Sequence, residues 1–196
     1  MTLSPLKPLY DFLQSLTQLI ESGVEEPVLI SRVTTLFTPL LSSSSWLPMS
    51  HASPSPSGYC QYLLYLDPLE RFSIVSFVWG PSQRTVIHDH GTWGVIGVLV
   101  GSELSSSYDM CSVSGHLTTG VQMLLHAGGI CSVSPSIGDI HHVQNTADGI
   151  SISIHVYGGN IGTLRRHQYD AASGTSTVFV SGYSPSPPLD FSMFVE

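Results

Sequence analysis

Residues 72–103 read FSIVSFVWGPSQRTVIHDHGTWGVIGVLVGSE. Two runs rich in β-branched and aromatic residues, RFSIVSFVW (71–79) and TWGVIGVLVG (92–101), bracket a Gly-Pro break and the triplet His88-Asp89-His90. Runs of this kind, punctuated by Gly, Pro and Asp, predict strands. On a strand, positions i and i+2 share a face, so His88 and His90 point together and Asp89 points away. Alone the triplet is a weak signal, because two partly exposed histidines at a strand end give the same pattern.

Similar runs lie on either side: YCQYLLYL (59–66), VQMLLHA (121–127), GICSVS (129–134), GISISIHVYG (149–158) and STVFVSGY (176–183). Their spacing is that of an all-β sandwich or barrel. Upstream the period changes. Leu9, Phe12, Leu13, Leu16 and Leu19 recur at helical spacing up to Gly23, and Val28, Leu29, Val33 and Phe37 predict a second helix ending near Pro39. SSSS at 42–45 and SPSPSG at 53–58 predict a loop. The expected organisation is one mainly β domain. A helical segment over 1–45 packs on the barrel, a Ser/Pro-rich loop covers 46–58, and the barrel covers 59–196.

Composition narrows the function classes. The 196 residues carry 6 basic and 14 acidic side chains, a net charge of −8. Charged residues make up 10% of the chain, against about 25% in an average domain. One lysine, Lys7, and five arginines cannot build a basic patch, which argues against nucleic acid and against anionic membranes as partners. No apolar run reaches the ~18 residues of a membrane span, and the opening MTLSPLKPLYDF lacks the apolar centre of a signal peptide. The expected location is the cytoplasm. Cys60, Cys111 and Cys131, odd in number and widely spaced, form neither a disulfide framework nor a CxxC motif. Histidine is the unusual residue: there are nine, five of them at 88, 90, 141, 142 and 155.

Gly129-x5-Pro135 followed by Gly138-x2-His141-x3-Asn145 resembles the second signature of the cupin superfamily, with one extra residue between the Pro and the Gly. His141 and His142 cannot both face one metal from one strand, and this spacing selects His141. The first cupin signature sets HxH after a glycine, here Gly80. It also sets a Glu four or five residues past the second His, where this chain has Gly94 and Val95; Glu103 lies too far along to join by that pattern. Two histidines and a carboxylate make the usual facial triad of non-haem iron. Three neutral imidazoles instead leave the full +2 charge on the metal, which suits a substrate that brings its own anionic ligand. A thiol is the obvious one, since a metal deprotonates a bound thiol.

Ser153, His155 and Tyr157 are also spaced by two and share a strand face, opposite the apolar Ile152, Ile154 and Val156. The polar face is either a solvent-facing side or a hydrogen-bond relay, in which Ser153 orients His155 and His155 orients the Tyr157 hydroxyl. A carboxylate substrate would need a fixed cation. Lys7 lies at the terminus, Arg32 in a predicted helix, Arg71 at a turn and Arg84 in the loop before His88. Arg165 and Arg166 follow the polar strand. Neighbours in sequence usually face apart, and charge alone does not choose between those two. Trp79 and Trp93 read as packing residues, and Asp139 as a turn residue or a support for a metal ligand.

Taken together, FSIVSFVWGPSQRTVIHDHGTWGVIGVLVGSE, GDIHHVQN and SISIHVYGGNIG resemble the thiol dioxygenases of the cysteine dioxygenase family, a branch of the cupins, over about Tyr59 to Tyr183. The resemblance implies a cupin-type β-barrel (jelly roll) holding Fe(II) through His88, His90 and His141. It implies an outer relay at Ser153, His155 and Tyr157, and oxidation of a small thiol carboxylate by O2 to a sulfinate. Mammalian-type members carry an Arg two residues after a Tyr, where this chain has Tyr59-Cys60-Gln61. They also carry a tyrosine-linked Cys where this chain has Gly94. Both departures are similar to the bacterial 3-mercaptopropionate dioxygenases, whose carboxylate-binding Arg falls on Arg166, with Gln61 as the other substrate-facing residue. The expected substrate is therefore 3-mercaptopropionate. The competing readings are a cysteine dioxygenase proper, a cupin isomerase or hydrolase using Zn or Mn, and a non-catalytic ligand-binding cupin.

Overall fold

A computed structural model describes residues 4–111 and 115–194; the remaining residues of the expected segments lie outside that description. The helices are α1 (Lys7–Glu21) and α2 (Glu26–Phe37). The strands are β1 (Cys60–Leu66), β2 (Ser73–Trp79), β3 (Ile87–His88), β4 (Gly94–Val100), β5 (Ser102–Met110), β6 (Leu117–His126), β7 (Ile130–Val133), β8 (His141–Asn145), β9 (Ser151–Tyr157), β10 (Arg166–Tyr169) and β11 (Ser176–Phe179). One sheet runs β1-β2-β9-β4-β7 and the other β11-β10-β3-β8-β5-β6. From β2 to β10 the chain passes back and forth between them, pairing antiparallel each time. This is the mainly β jelly roll expected from the sequence, with its helical segment at the N-terminus.

The five-stranded sheet is covered on both faces. On its outer face Leu9, Phe12, Leu16, Val33 and Phe37 of the helices form one core with Ile74, Ile152, Ile154 and Val156 of the strands. On its inner face Val75, Phe77, Trp79 and Tyr157 form a second core with Val143 of the opposite sheet. Every residue of β2 and β9 is buried, so the Ser153-His155-Tyr157 face looks into the barrel and not into solvent.

Helix α2 ends at Phe37, two residues before Pro39 as expected, and a 3-10 turn over Thr38–Ser42 follows, with Pro39 at its start, where no backbone N–H is needed. The Ser/Pro-rich stretch is a loop with buried anchors. Trp46 donates its indole N–H to the Leu40 carbonyl at 2.9 Å, and His51 is fully buried. Glu26 reaches from α2 to the Ser134 and Ser136 hydroxyls, fastening the turn that leads into β8. Further along the C-terminal segment, Phe194 stacks on Tyr10 of α1 and Phe191 lies tilted beside it.

Three elements were not legible as strands. SELSSSYDM (β5) and β10 contain no Val, Ile or Thr, and the first part of β6, LTTG, is short and ends on a glycine. They are held by pairing with better strands, most of all β5 between β6 and β8. No helix among the described residues is long and apolar enough to cross a membrane.

Phe37 is fully buried and its ring lies 5.4 Å from that of Phe12. Phe37→Ala should therefore destabilise the protein by about 3–5 kcal/mol, read as a lowered urea midpoint. A loss below about 1 kcal/mol, the level of an ordinary substitution, would show that the helices are not part of the same core.

Candidate metal centre

His88 on β3 and His141 on β8 are direct register partners, so the ladder itself sets their rings side by side, 5.0 Å apart. His90 lies past the end of β3, in the loop, rather than on a continuing strand. It nevertheless reaches the other two, with ring centroids 4.9 and 4.8 Å away. The cause is Asp139, whose Oδ1 and carbonyl face His90 Nδ1 at 3.0 and 3.2 Å, while Oδ2 accepts the Gly91 N–H at 2.9 Å. Gly91 has φ of +64°, a left-handed bend that a side chain would resist. Asp89 does point away: its carboxylate holds the His167 N–H and the Tyr169 hydroxyl of β10.

The ligand nitrogens of the three buried histidines lie within 4.8 Å of one another, and among the described residues this is the one His/Cys/Asp/Glu group with such a geometry. Each Nδ1 has its own partner: the Val86 carbonyl for His88 (3.0 Å), Asp139 for His90 and the Ser105 hydroxyl for His141 (3.2 Å). A carbonyl or carboxylate only accepts, so at His88 and His90 the hydrogen sits on Nδ1 and the Nε2 lone pair is left facing the centre. His90 Nε2 is buried with no hydrogen-bond partner. A dry, unpartnered acceptor is uncommon in a native interior, and here three imidazoles surround one point. The donor set fits a divalent metal ion. Burial, then the neighbouring His90, lowers His88 to about 3, and the same two causes hold His141 well below its ordinary value. His88 and His141 therefore stay neutral, the form that binds metal.

Above the trio the inner face of β9 is ordered as a chain. The Tyr157 hydroxyl lies 2.7 Å from His155 Nδ1, and His155 Nε2 lies 2.8 Å from Ser153 Oγ. His155 stacks on Phe77 at 4.1 Å, and the Tyr157 ring lies over His90 at 5.4 Å. Trp79 does more than pack, because its indole N–H donates to Ser153 Oγ at 3.2 Å. At Gly94 an added Cβ would lie 2.8 Å from the Tyr157 ring. The missing side chain is what lets the phenol sit where it does.

Arg166 of β10 is 5% exposed and lines the same pocket as His88, His141, Tyr157 and Gln61, whereas Arg165 is exposed. Its guanidinium donates to Ser181 Oγ at 2.8 Å, lies 4.6 Å from the Phe179 ring, and keeps Nε buried without a partner. Gln61 donates its amide to the Gly182 carbonyl. His142 leaves on the other side of β8, with its Nδ1 3.2 Å from the Tyr108 hydroxyl. Ser105 and Ser181 carried no signal in the sequence; Ser105 lies on the unrecognised strand β5, and nothing in the composition around Ser181 sets it apart.

The sequence matches no family model. Among solved structures the chain is similar to oxalate oxidase in complex with the substrate analogue glycolate (17% identity, TM-score 0.46, 57% of each chain covered). It is also similar to a conserved double-stranded β-helix protein of Klebsiella pneumoniae (19%, TM-score 0.47, 57% of this chain and 82% of that one). A third likeness is to an RmlC-like cupin protein of Desulfovibrio desulfuricans (16%, TM-score 0.43, 57% and 93%). The chain thus spans 57% of the length of the oxalate oxidase.

Burial holds His88, His141 and His155 neutral in the folded, metal-free protein. Below their unfolded value of 6.5 the unfolded state binds more protons, so stability is lost as pH falls. Glu103, raised by burial from 4.5 to about 7, acts in the opposite sense but is one group against three. The urea midpoint of the metal-free protein should fall steadily from pH 7 to pH 5. A level or rising midpoint would contradict this.

Proposed function

We propose that this chain is a mononuclear Fe(II) thiol dioxygenase that oxidises a small thiol carboxylic acid, 3-mercaptopropionate before cysteine, to its sulfinate with O2. The observation that carries the proposal is the pairing, in one pocket, of a carboxylate-free histidine trio with the buried guanidinium of Arg166, which has no acidic partner among the described residues.

His88, His90 and His141 would hold the metal. Fe(II) bound there would supply the redox chemistry that O2 needs and the charge that keeps sulfur as thiolate. The chain's own residues do the rest. Arg166 takes the substrate carboxylate in a charge-assisted pair; its Ser181 and Phe179 contacts fix the guanidinium before the substrate arrives. Arg166 also disfavours the protonated form of His88 and lines the same pocket, which supports its acting on a substrate held at the metal. The Tyr157 hydroxyl is held on the pocket side by His155. Burial keeps it protonated; with its hydrogen turned to His155 Nδ1, its oxygen is left to accept from a group in the pocket. Gln61 stands where a cysteine-specific site would carry a cation; it can hydrogen-bond but cannot neutralise a carboxylate. A three-carbon thiol acid needs neither that cation nor an amino group. A cytoplasmic setting, where thiols stay reduced, suits this substrate.

Oxygen uptake by the Fe(II)-loaded protein with 3-mercaptopropionate and with cysteine tests the proposal. Uptake should depend on thiol, with the higher kcat/KM for 3-mercaptopropionate; no thiol-dependent uptake at full iron occupancy would end it. Arg166→Ala should lower kcat/KM for 3-mercaptopropionate by roughly ten- to hundredfold, the loss of one charge-assisted contact, while the exposed Arg165→Ala should not.

Metal retention gives a separate test. Asp139→Asn should weaken Fe(II) binding by about 10–100-fold through His90, measured by calorimetry under anaerobic conditions. His142→Ala should leave binding intact.

A further inference from the structure

The polar file on β9 does not end at Ser153. Ser151, one step further along the same inner face, donates to Glu103 Oε1 at 3.0 Å. Glu103 is 1% exposed, its Oε2 has no hydrogen-bond partner, and no cation offsets its charge. An acid in such a place is costly when ionised. Burial raises it to about 7, and the Ser153 and Ser151 hydroxyls beside it hold that rise in check. The titratable side chains around it are the Cys131 thiol of β7, itself pushed up by burial and by Glu103, and His155 beyond Ser153.

Counting hydrogens gives the file a direction. The Trp79 indole can only donate, so it occupies one lone pair of Ser153 Oγ. If His155 Nε2–H fills the other, the Ser153 hydroxyl hydrogen is free to turn to the Glu103 carboxyl, where Oε2 otherwise lacks a partner. His155 Nδ1 is then an acceptor for the Tyr157 O–H. Every polar group of the file is satisfied, and every hydrogen points from the pocket toward the acid.

We propose that Glu103 is the proton-accepting end of a relay Tyr157–His155–Ser153–Glu103, a positioning residue that acts on the pocket through the other three. A proton given up at the pocket passes to the Tyr157 oxygen. The phenol hydrogen moves to His155 Nδ1, the Nε2 hydrogen to Ser153, and the Ser153 hydrogen to Glu103. The donor loses one proton, Glu103 gains one as its carboxylic acid, and the four hydrogen bonds reverse. That the donor is a substrate thiol rests on the thiol dioxygenase reading; the coupling between Glu103 and His155 does not.

The coupling is tested on metal-free protein by 13C NMR of labelled glutamate carboxyls and 15N NMR of labelled histidines. One carboxyl should titrate near pH 7 and vanish in Glu103→Gln. The His155 nitrogens should change shift with the same midpoint, and should not do so in the variant. Ser151→Ala removes a hydrogen bond that favours the carboxylate, so the midpoint should rise; this variant keeps the test open if Glu103→Gln does not fold. A Glu103 carboxyl that titrates below pH 5, or His155 shifts that ignore it, would overturn the relay. In the iron-loaded enzyme, Glu103→Gln should retain iron and KM while kcat falls by about tenfold or more and its rise through pH 7 disappears. An unchanged pH profile would also overturn it. Failure of thiol-dependent oxygen uptake in the wild type would end the thiol reading alone and leave the NMR result to decide the relay.

Discussion

Three Nδ1 contacts from three separate segments hold the centre of this protein together. The Val86 carbonyl, the Asp139 carboxylate and the Ser105 hydroxyl each fix one imidazole, and in doing so tie the approach to β3, the turn before β8 and strand β5 to one point. The contacts carry no charge of their own into the pocket apart from Asp139, which stands behind His90 and not among the ligand atoms. With a divalent ion on the three imidazoles and Arg166 in the same pocket, the proposed thiolate carboxylate would meet a positive charge at each end. A dry wall strengthens both attractions.

Strand β9 links this centre to the rest of the fold. It is the middle strand of its sheet, with β2 on one side and β4 on the other. Its outward Ile152, Ile154 and Val156 belong to the core made with the helices. Its inward side chains could have been equally apolar. They are instead two hydroxyls, an imidazole and a phenol, all buried; Ser153, His155 and Tyr157 bond to one another and Ser151 to Glu103. Polar groups buried this deeply persist in a fold only when satisfied, and the helical cover makes the strand rigid enough to hold them in line. The N-terminal helices thus bear on the site without touching it.

Much of this was legible in the sequence because the informative residues recur at strand spacing. The 88/90 pair, the Gly138-x2-His141-x3-Asn145 spacing and the 153/155/157 file each name residues that meet in space. Two arguments named positions whose actual placement has a different cause. His90 shares a side with His88 through the Asp139 clamp and the Gly91 bend, not because a strand continues. Glu103 is distant from His90 in sequence and is not near the metal ligands; it lies against β9 because the chain turns at Gly101 and enters the other sheet. Strand β5 itself was invisible, since SELSSSYDM is polar and its strand state comes from its neighbours. Charge reasoning did not separate Arg165 from Arg166; burial does, one side chain being exposed and the other shut into the pocket.

The most direct test of the account is iron K-edge X-ray absorption on the Fe(II)-loaded protein, with and without 3-mercaptopropionate. The account predicts a first shell of light scatterers with the multiple-scattering pattern of three imidazoles and no sulfur in the resting protein, and one added sulfur scatterer when the thiol acid binds. A shell with fewer than three imidazoles, or one that gains no sulfur at saturating thiol, would contradict it.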